Sequence, residues 1–217
     1  MMSSTIKVKE VIGLIDRSGS MGGKEIVTIN GINTMLTELK QNADPEWEIR
    51  VSIKYFDDTE TLFWKSIPLE SVTLLDIDSY VPDGQTALLD SLGKTLQYFM
   101  QKYLKDNTAY DSCIIYVATD GLDTCSNIYS KANLKKMITT AKEKYNIEVI
   151  YLGANQDAIE EASAIGIPET QAINYSEDNE STQSVYRAVA RMASSTERTN
   201  TTDFGFTYSE RSRSNNK

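Results

Sequence analysis

Oxygen-bearing side chains are dense just after the first apolar run of the chain. The segment LIDRSGSMGG, residues 14–23, ends a hydrophobic run at Asp16 and places serines at positions 18 and 20 before two glycines. One Asp or one Ser would be enough to end a strand or to cap a helix. A carboxylate followed by two hydroxyls at alternate positions supplies more oxygen atoms than a turn or a cap requires. This excess of oxygen donors is the feature that a function has to explain.

Two further oxygen donors follow structural breaks later in the chain. Asp120 lies at the end of the apolar run 112–121, and Thr86 follows the breaker PDGQ at 82–85. Ligands of open α/β sheets lie outside the carboxyl ends of strands, where the strand order reverses. If the strands that end near Asp16 and Asp120 are neighbours at that point, both carboxylates face one crevice. A cation would offset the mutual repulsion of two such carboxylates.

The composition narrows the choice of metal and of chemistry. The chain contains no histidine and two cysteines. Histidine acid–base catalysis, Ser-His and Cys-His nucleophiles and histidine-containing zinc sites are therefore excluded. Mg²⁺ prefers octahedral oxygen ligands and keeps several waters, and Mn²⁺ would fit similarly. The expected cofactor is thus Mg²⁺, with Mn²⁺ as an alternative.

Length and charge predict an ordinary soluble domain. The 217 residues are 40% hydrophobic and 24% charged, with a net charge of −9. This negative field disfavours nucleic acid and anionic membranes as partners. No apolar stretch approaches the roughly 20 residues of a membrane span, and the first residues lack the apolar core of a signal peptide. We expect a cytoplasmic protein.

The periodicity of apolar residues predicts alternating strands and helices. Predicted strands cover 8–16, 47–56, 61–67, 112–121, 147–154 and 170–175, and predicted helices cover 24–40, 86–104, 131–145, 155–166 and about 179–194. Helical spacing places Ile26 and Leu104 on buried helix faces. The second and third strands form a hairpin, hence one antiparallel pair. The predicted fold is α/β, a three-layer, doubly wound, Rossmann-like sheet that is mostly parallel, with one antiparallel strand and helices on both faces.

The composition changes near the end of the chain. Residues 1–195 are predicted to form one domain. Residues 196–217 are rich in Ser, Thr, Asn and Arg and are predicted to be a polar, flexible tail. Phe204, Phe206 and Tyr208 are aromatic anchors through which this tail could dock.

The oxygen donors together resemble a known metal site. Asp16, Ser18 and Ser20 in the pattern D-x-S-x-S, followed by Thr86 and Asp120, resemble the metal-ion-dependent adhesion site (MIDAS) of von Willebrand factor A (vWA) domains. The resemblance implies that the three hydroxyl groups ligate the metal and that the two carboxylates act directly or through water. One coordination position then remains for a carboxylate of a partner protein.

The resemblance covers roughly residues 6–195 and is to stand-alone intracellular vWA proteins of bacteria and phages. It implies a non-enzymatic adaptor that captures an Asp or Glu of another protein. Some relatives partner with MoxR-type AAA+ ATPases or belong to tellurium-resistance-type stress modules. The residues expected to form the partner-binding rim around the metal are Arg17, Met21, Gly84, Gln85 and Asp123.

Three alternatives stay open. A strand-ending turn with a helix cap explains the first segment but leaves Thr86 and Asp120 unexplained. A metal-dependent phosphoryl-transfer hydrolase could use Asp16 and Asp120, but it would commonly want an acid at position 18, where Ser18 stands, and a phosphate-binding lysine. A structural or assembly protein would not need the metal site.

Other acidic groups have simpler structural explanations. Asp57, Asp58 and Glu60 fit the tip of the predicted hairpin better than a second ion site. Asp123 could form a rim, but it fits a solvated loop better. The acidic run 176–180 fits the N-terminal region of a helix, where negative charge is favoured.

Overall fold

The elements of the fold follow the predicted alternation closely. A computed structural model describes residues 6–154, 157–195 and 204–214. The strands in this part of the chain are β1 (Lys7–Asp16), β2 (Trp47–Phe56), β3 (Glu60–Pro68), β4 (Ser112–Thr119), β5 (Ile147–Ala154) and β6 (Ala172–Tyr175). The helices are α1 (Glu25–Asn42), α2 (Leu88–Lys105), α3 (Lys131–Tyr145), α4 (Ala158–Ala164), α5 (Asn179–Ser194) and α6 (Tyr208–Ser214).

The strands form one sheet in the order β3-β2-β1-β4-β5-β6. β1 pairs in parallel with both β2 and β4, β5 pairs in parallel with β4 and β6, and β2 and β3 form an antiparallel hairpin. One apolar cluster joins the sheet to α1 and α5, and a second joins its other face to α2, α3 and α4. The prediction of a mostly parallel sheet with one antiparallel strand and helices on both faces is confirmed.

The central strands carry few polar residues because both of their faces are covered. In β1, Val11 and Ile15 point into the cluster with α1 and α5, whereas Ile12 and Leu14 point into the cluster with α2. Each of these side chains is at most 2% exposed. Burial on both faces replaces the alternation of a half-exposed strand by a continuous apolar run.

The strand order reverses between β1 and β4. From β1 the chain passes through α1 to β2 on one side, and it later returns to add β4, β5 and β6 on the other side. Asp16 is the last residue of β1, and Asp120 follows directly after β4. The fold therefore places both residues at neighbouring carboxyl ends, where open α/β sheets bind ligands.

Two predicted core positions are wrong. Ile26 is 62% exposed and Leu104 is 68% exposed. At 3.6 residues per turn, each lies roughly 110° to 120° from the centre of the buried stripe of its helix, so it points to solvent. The first two residues of the predicted helix 155–166 lie outside the described residues.

The C-terminal segment 204–214 packs against the domain instead of forming the predicted flexible tail. Phe204 and Phe206 are 5% and 7% exposed. The Phe206 N–H donates to the Thr170 carbonyl at 2.8 Å, and the Arg211 guanidinium group donates to the first carbonyl of β6 at 2.9 Å. Aromatic burial and these hydrogen bonds dock the segment beside β6, as the predicted anchors allowed. The other residues of the predicted tail lie outside the described residues.

Within the described residues, no helix is both long enough and apolar enough to span a membrane.

The docking of the C-terminal segment predicts a loss of stability when its anchor is removed. Phe206→Ala should lower the free energy of unfolding by about 3 kcal/mol, because a buried ring leaves a cavity. Tyr208→Ala is the matched control, since Tyr208 is 89% exposed and should change stability by less than about 0.5 kcal/mol. Urea denaturation measures both variants. Equal stability of the two variants would contradict the docking.

Candidate metal site

Asp16 is the anchor of the site. Its side chain is fully buried; Oδ2 accepts a hydrogen bond from Thr119 Oγ1 at 2.5 Å, and Oδ1 accepts one from the Ser18 N–H at 2.8 Å. The Tyr80 hydroxyl donates to the main-chain carbonyl of Asp16. Burial raises the pKa of Asp16 above its usual value even though these hydrogen bonds lower it, and the charge of Asp120 raises it further. A nearby cation would stabilise the ionised form of Asp16 and so lower its pKa.

A chain of oxygens connects the first strand to the fourth. Ser18 Oγ and Ser20 Oγ lie 3.0 Å apart and share a hydrogen bond. Ser20 Oγ donates to Asp120 Oδ1 at 2.7 Å. Ser18 is 2% exposed, whereas Ser20 is exposed. The structure thus brings together Asp16, both serines and Asp120 in one group that opens to solvent at Ser20.

The loop that carries Thr86 is held between the other two loops. The Gly19 N–H donates to the Gly84 carbonyl at 3.0 Å, and the Thr124 N–H donates to the Thr86 carbonyl at 2.8 Å. Gly84 has φ of 76°, and a Cβ there would lie 2.3 Å from Asp58 Oδ1. Any other residue at position 84 would strain the backbone and displace the Asp58 side chain. Main-chain hydrogen bonds therefore fasten all three loops to one another, and Thr86 is buried among them.

Lys24 and Glu177 lie at the site, although no sequence pattern pointed to them. The Lys24 ammonium group forms ion pairs with Asp120 Oδ2 and with Glu177 Oε1. Burial alone would lower the pKa of Lys24, but the two carboxylates raise it above the usual value. Glu177 lies between β6 and α5, so it reaches the site only through the place of β6 in the sheet. No local spacing signals such a contact.

The predicted rim contains one residue that is not at the surface. Met21 is 3% exposed and packs in the apolar cluster with α1 and α5. The short 3₁₀ turn Gly19–Met21 directs its side chain inward, so Met21 does not contribute to an exposed rim. Gly84 and Gln85 are exposed beside the loop of Ser20, as a rim requires.

The other two rim residues hold loops in place. Arg17 donates to Asp57 Oδ2 through Nε at 2.9 Å and through Nη2 at 2.6 Å. Burial would raise the pKa of Asp57, but hydrogen bonds from Thr59 and Arg17 lower it below its usual value. Asp123 Oδ1 accepts from the Leu89 N–H at 3.0 Å, at the start of α2. Both side chains are partly exposed, so they combine a supporting role with access to the rim.

Asp90 fixes the loop that follows Asp120. Its carboxylate accepts the N–H groups of Asn127 at 3.0 Å, Ile128 at 3.0 Å and Tyr129 at 2.9 Å. Burial would raise the pKa of Asp90, but these three donors lower it below its usual value. Asp90 is only 6% exposed and was not singled out from the sequence. It ties this loop to α2 and so supports the geometry of the site.

The donor set fits a hard cation. Among the described residues, no group of three or more His, Cys, Asp or Glu side chains is placed to hold a metal. Any bound metal would therefore depend on hydroxyl groups beside the two carboxylates. Hard cations such as Mg²⁺ accept such ligands together with water. The ammonium group of Lys24 already forms an ion pair with Asp120, where a metal ion would also bind.

The sequence matches the family model of the von Willebrand factor type A domain over residues 10–188. A comparison with curated proteins gave no match.

Solved structures share the fold at low sequence identity. A von Willebrand factor type A protein from Catenulispora acidiphila is 16% identical with a TM-score of 0.59, over 87% of this chain and 43% of that chain. The proximal thread matrix protein 1 of the mussel byssus, in a structure with a zinc-occupied MIDAS motif, is 14% identical with a TM-score of 0.58, over 87% and 46%. The vWF domain of a type V pili tip protein from Porphyromonas gingivalis is 11% identical with a TM-score of 0.62, over 86% and 95%. This chain thus covers less than half of the length of the first two of these proteins.

The hydrogen bonds of Asp90 predict a pH-dependent contribution to stability. Asp90→Asn should cost about 1 to 3 kcal/mol at pH 7, because the amide replaces a charged acceptor of three N–H groups. Since the folded pKa lies below the unfolded value of about 3.9, this contribution is present above that pH and is lost as the pH falls through the folded pKa. Urea denaturation from pH 7 to pH 3 measures the difference. The exposed Glu143→Gln is the control, and a difference independent of pH would refute the role of the charge.

Proposed function

The chain belongs to the von Willebrand factor type A domain family, and from this premise we propose that it binds Mg²⁺ and uses it to capture a carboxylate of another protein. The proposed ligands are the hydroxyl groups of Ser18, Ser20 and Thr86, with the carboxylates of Asp16 and Asp120 acting directly or through water. Mn²⁺ is the alternative metal.

One observation supports this proposal above the others. The oxygens of Ser18, Ser20 and Asp120 form a hydrogen-bonded chain at the reversal point of the sheet, with distances of 3.0 Å and 2.7 Å. Simple strand ends do not require such a group. Neutral hydroxyl ligands neutralise little of the charge of a bound cation, which would then attract an incoming Asp or Glu.

The proposed partner is a protein that presents an acidic residue. Gly84 and Gln85 would line its docking surface together with Arg17 and Asp123. An adaptor role in the cytoplasm follows from the resemblance to stand-alone vWA proteins, and a MoxR-type AAA+ ATPase or a stress-module component is the proposed class of partner. The chain would contribute binding without catalysis.

A metal-dependent phosphoryl-transfer hydrolase is the second candidate, because Lys24 places an ammonium group beside Asp120. A lysine at this position could hold a phosphate group. However, Lys24 already faces two carboxylates, Asp120 and Glu177, which would repel a phosphate dianion. Position 18 also holds a serine where such chemistry commonly wants an acid. The adaptor is therefore the better-supported proposal, and it also assigns a role to the hydroxyl groups that a structural or assembly protein would not need.

Metal binding can be measured without a partner. Isothermal titration of the wild-type protein with Mg²⁺ and with Mn²⁺ should show one site. Ser18→Ala should weaken the affinity by roughly ten-fold or more, because even supporting groups of metal sites contribute this much. Ser209→Ala, at an exposed position in α6, is the matched control and should bind as the wild type does. Equal affinities of the wild type and Ser18→Ala would disprove the assignment.

Partner capture separates the adaptor from the hydrolase. Immobilised wild-type protein should retain a partner from cell extract in Mg²⁺ and release it in chelator, whereas Ser18→Ala should retain none. Mass spectrometry would identify the retained protein, and replacing its acidic contact residue should abolish retention. In parallel with the capture experiment, a phosphatase screen measures metal-dependent turnover by the same protein. Metal-dependent turnover without a metal-dependent partner would reverse the ranking of the two functions.

A further inference from the structure

Asp120 has both of its carboxylate oxygens engaged in the structure. Oδ1 accepts the hydrogen bond of Ser20, and Oδ2 pairs with the ammonium group of Lys24. The side chain of Asp120 is only 5% exposed, whereas that of Lys24 is 25% exposed. Partial burial of an ion pair strengthens the attraction between its opposite charges relative to water. Lys24 is therefore an effective neutralising charge for this carboxylate.

Lys24 also has a second acidic partner. Its ammonium group contacts Glu177 on the loop between β6 and α5, and the side chains of Lys24 and Glu177 are 25% and 21% exposed. A lysine that is paired with two carboxylates can give up one of them without becoming an unpaired charge. Removing a partly buried charge from every partner would be costly, and Glu177 avoids that cost.

A divalent cation at the same group of oxygens would lie close to this ammonium group. It would share Asp120 with Lys24 and would be repelled by its positive charge. This repulsion between like charges weakens as the ammonium group moves away from Asp120. The position of Lys24 therefore bears directly on metal affinity.

We propose that Lys24 is a tethered cation that competes with divalent metal for Asp120, and that Glu177 is the carboxylate that keeps Lys24 when metal displaces it from Asp120. This inference rests on the proposed metal binding, and it names the residues that set the affinity of the site for the metal. A static ion pair, which only ties α1 to the loop before α5, is the alternative role of the same contacts.

Three variants distinguish competition from a static ion pair, with Mg²⁺ alone as the probe. Lys24→Met should bind Mg²⁺ roughly ten-fold more tightly than the wild type, because the competing charge is gone. Glu177→Gln should bind Mg²⁺ less tightly than the wild type. Of the two carboxylates that pair with Lys24, this variant keeps only Asp120, so Lys24 should compete for it more strongly. The double variant K24M/E177Q keeps the net charge of the wild type and should still bind more tightly.

Lys136→Met is the matched control for net charge, because Lys136 is exposed on α3. It should leave the affinity close to that of the wild type. Thermal unfolding without metal checks each variant for folding. If the lysine acts only by adding a positive charge to the protein, Lys136→Met will tighten binding as much as Lys24→Met does, and the inference is wrong.

Acylation of lysines provides a readout that does not depend on affinity. Mass spectrometry after brief labelling should show that Mg²⁺ raises the reactivity of Lys24 in the wild type, because its contact with Asp120 is lost. Lys136 is the internal reference and should not change. Labelling of Lys24 that is the same with and without bound Mg²⁺ would overturn the inference.

Failure of the inference is distinct from failure of the proposed function. If the wild type binds Mg²⁺ and Lys24→Met binds it equally, metal binding stands and competition is refuted. If the wild type binds weakly and Lys24→Met binds well, competition is supported. If no variant binds Mg²⁺ or Mn²⁺, the metal site and the competition both fail.

Discussion

The buried carboxylate of Asp16 is the constraint on which the site depends. It ends the central strand at the point where the strand order reverses, and it has no exposed surface. A charge in such a place must be compensated by hydrogen bonds or by a cation. Thr119 and the Ser18 N–H supply hydrogen bonds, and Tyr80 fixes the strand end. The serine-rich turn therefore follows Asp16 closely because its groups support that carboxylate.

The sequence was sufficient to predict most of the fold because its signals are local. Continuous apolar runs predicted β1 and β4, and period-2 alternation predicted β2. These signals require only neighbouring residues, which is why the predicted strands agree with the structure. The adjacency of β1 and β4 at the reversal point was a condition of the predicted site, and the strand order meets it.

The contacts that the sequence did not predict depend on distant parts of the chain. Glu177 meets Lys24 because β6 ends on the same edge of the sheet as β1 and β4. The C-terminal segment docks through Phe206 and Arg211 onto groups beside β6. The sequence marked Phe206 as a possible anchor but did not show the surface on which it docks. Met21 is buried because a 3₁₀ turn reverses its direction. Composition and periodicity report none of these placements.

Under the proposed function, the charges of the site would make metal binding and partner binding depend on one another. The chain carries a net charge of −9, yet Asp57 pairs with Arg17 and Asp120 pairs with Lys24. Without metal, the loops thus present hydroxyl groups and paired charges, which give an acidic partner little to bind. Release of Lys24 from Asp120, with Glu177 keeping its ammonium group, would leave the hydroxyl groups and Asp120 to a divalent cation, whose charge would face outward. An acidic partner would then bind at the same point where the internal cation had been displaced, so the two binding events would be coupled by charge alone.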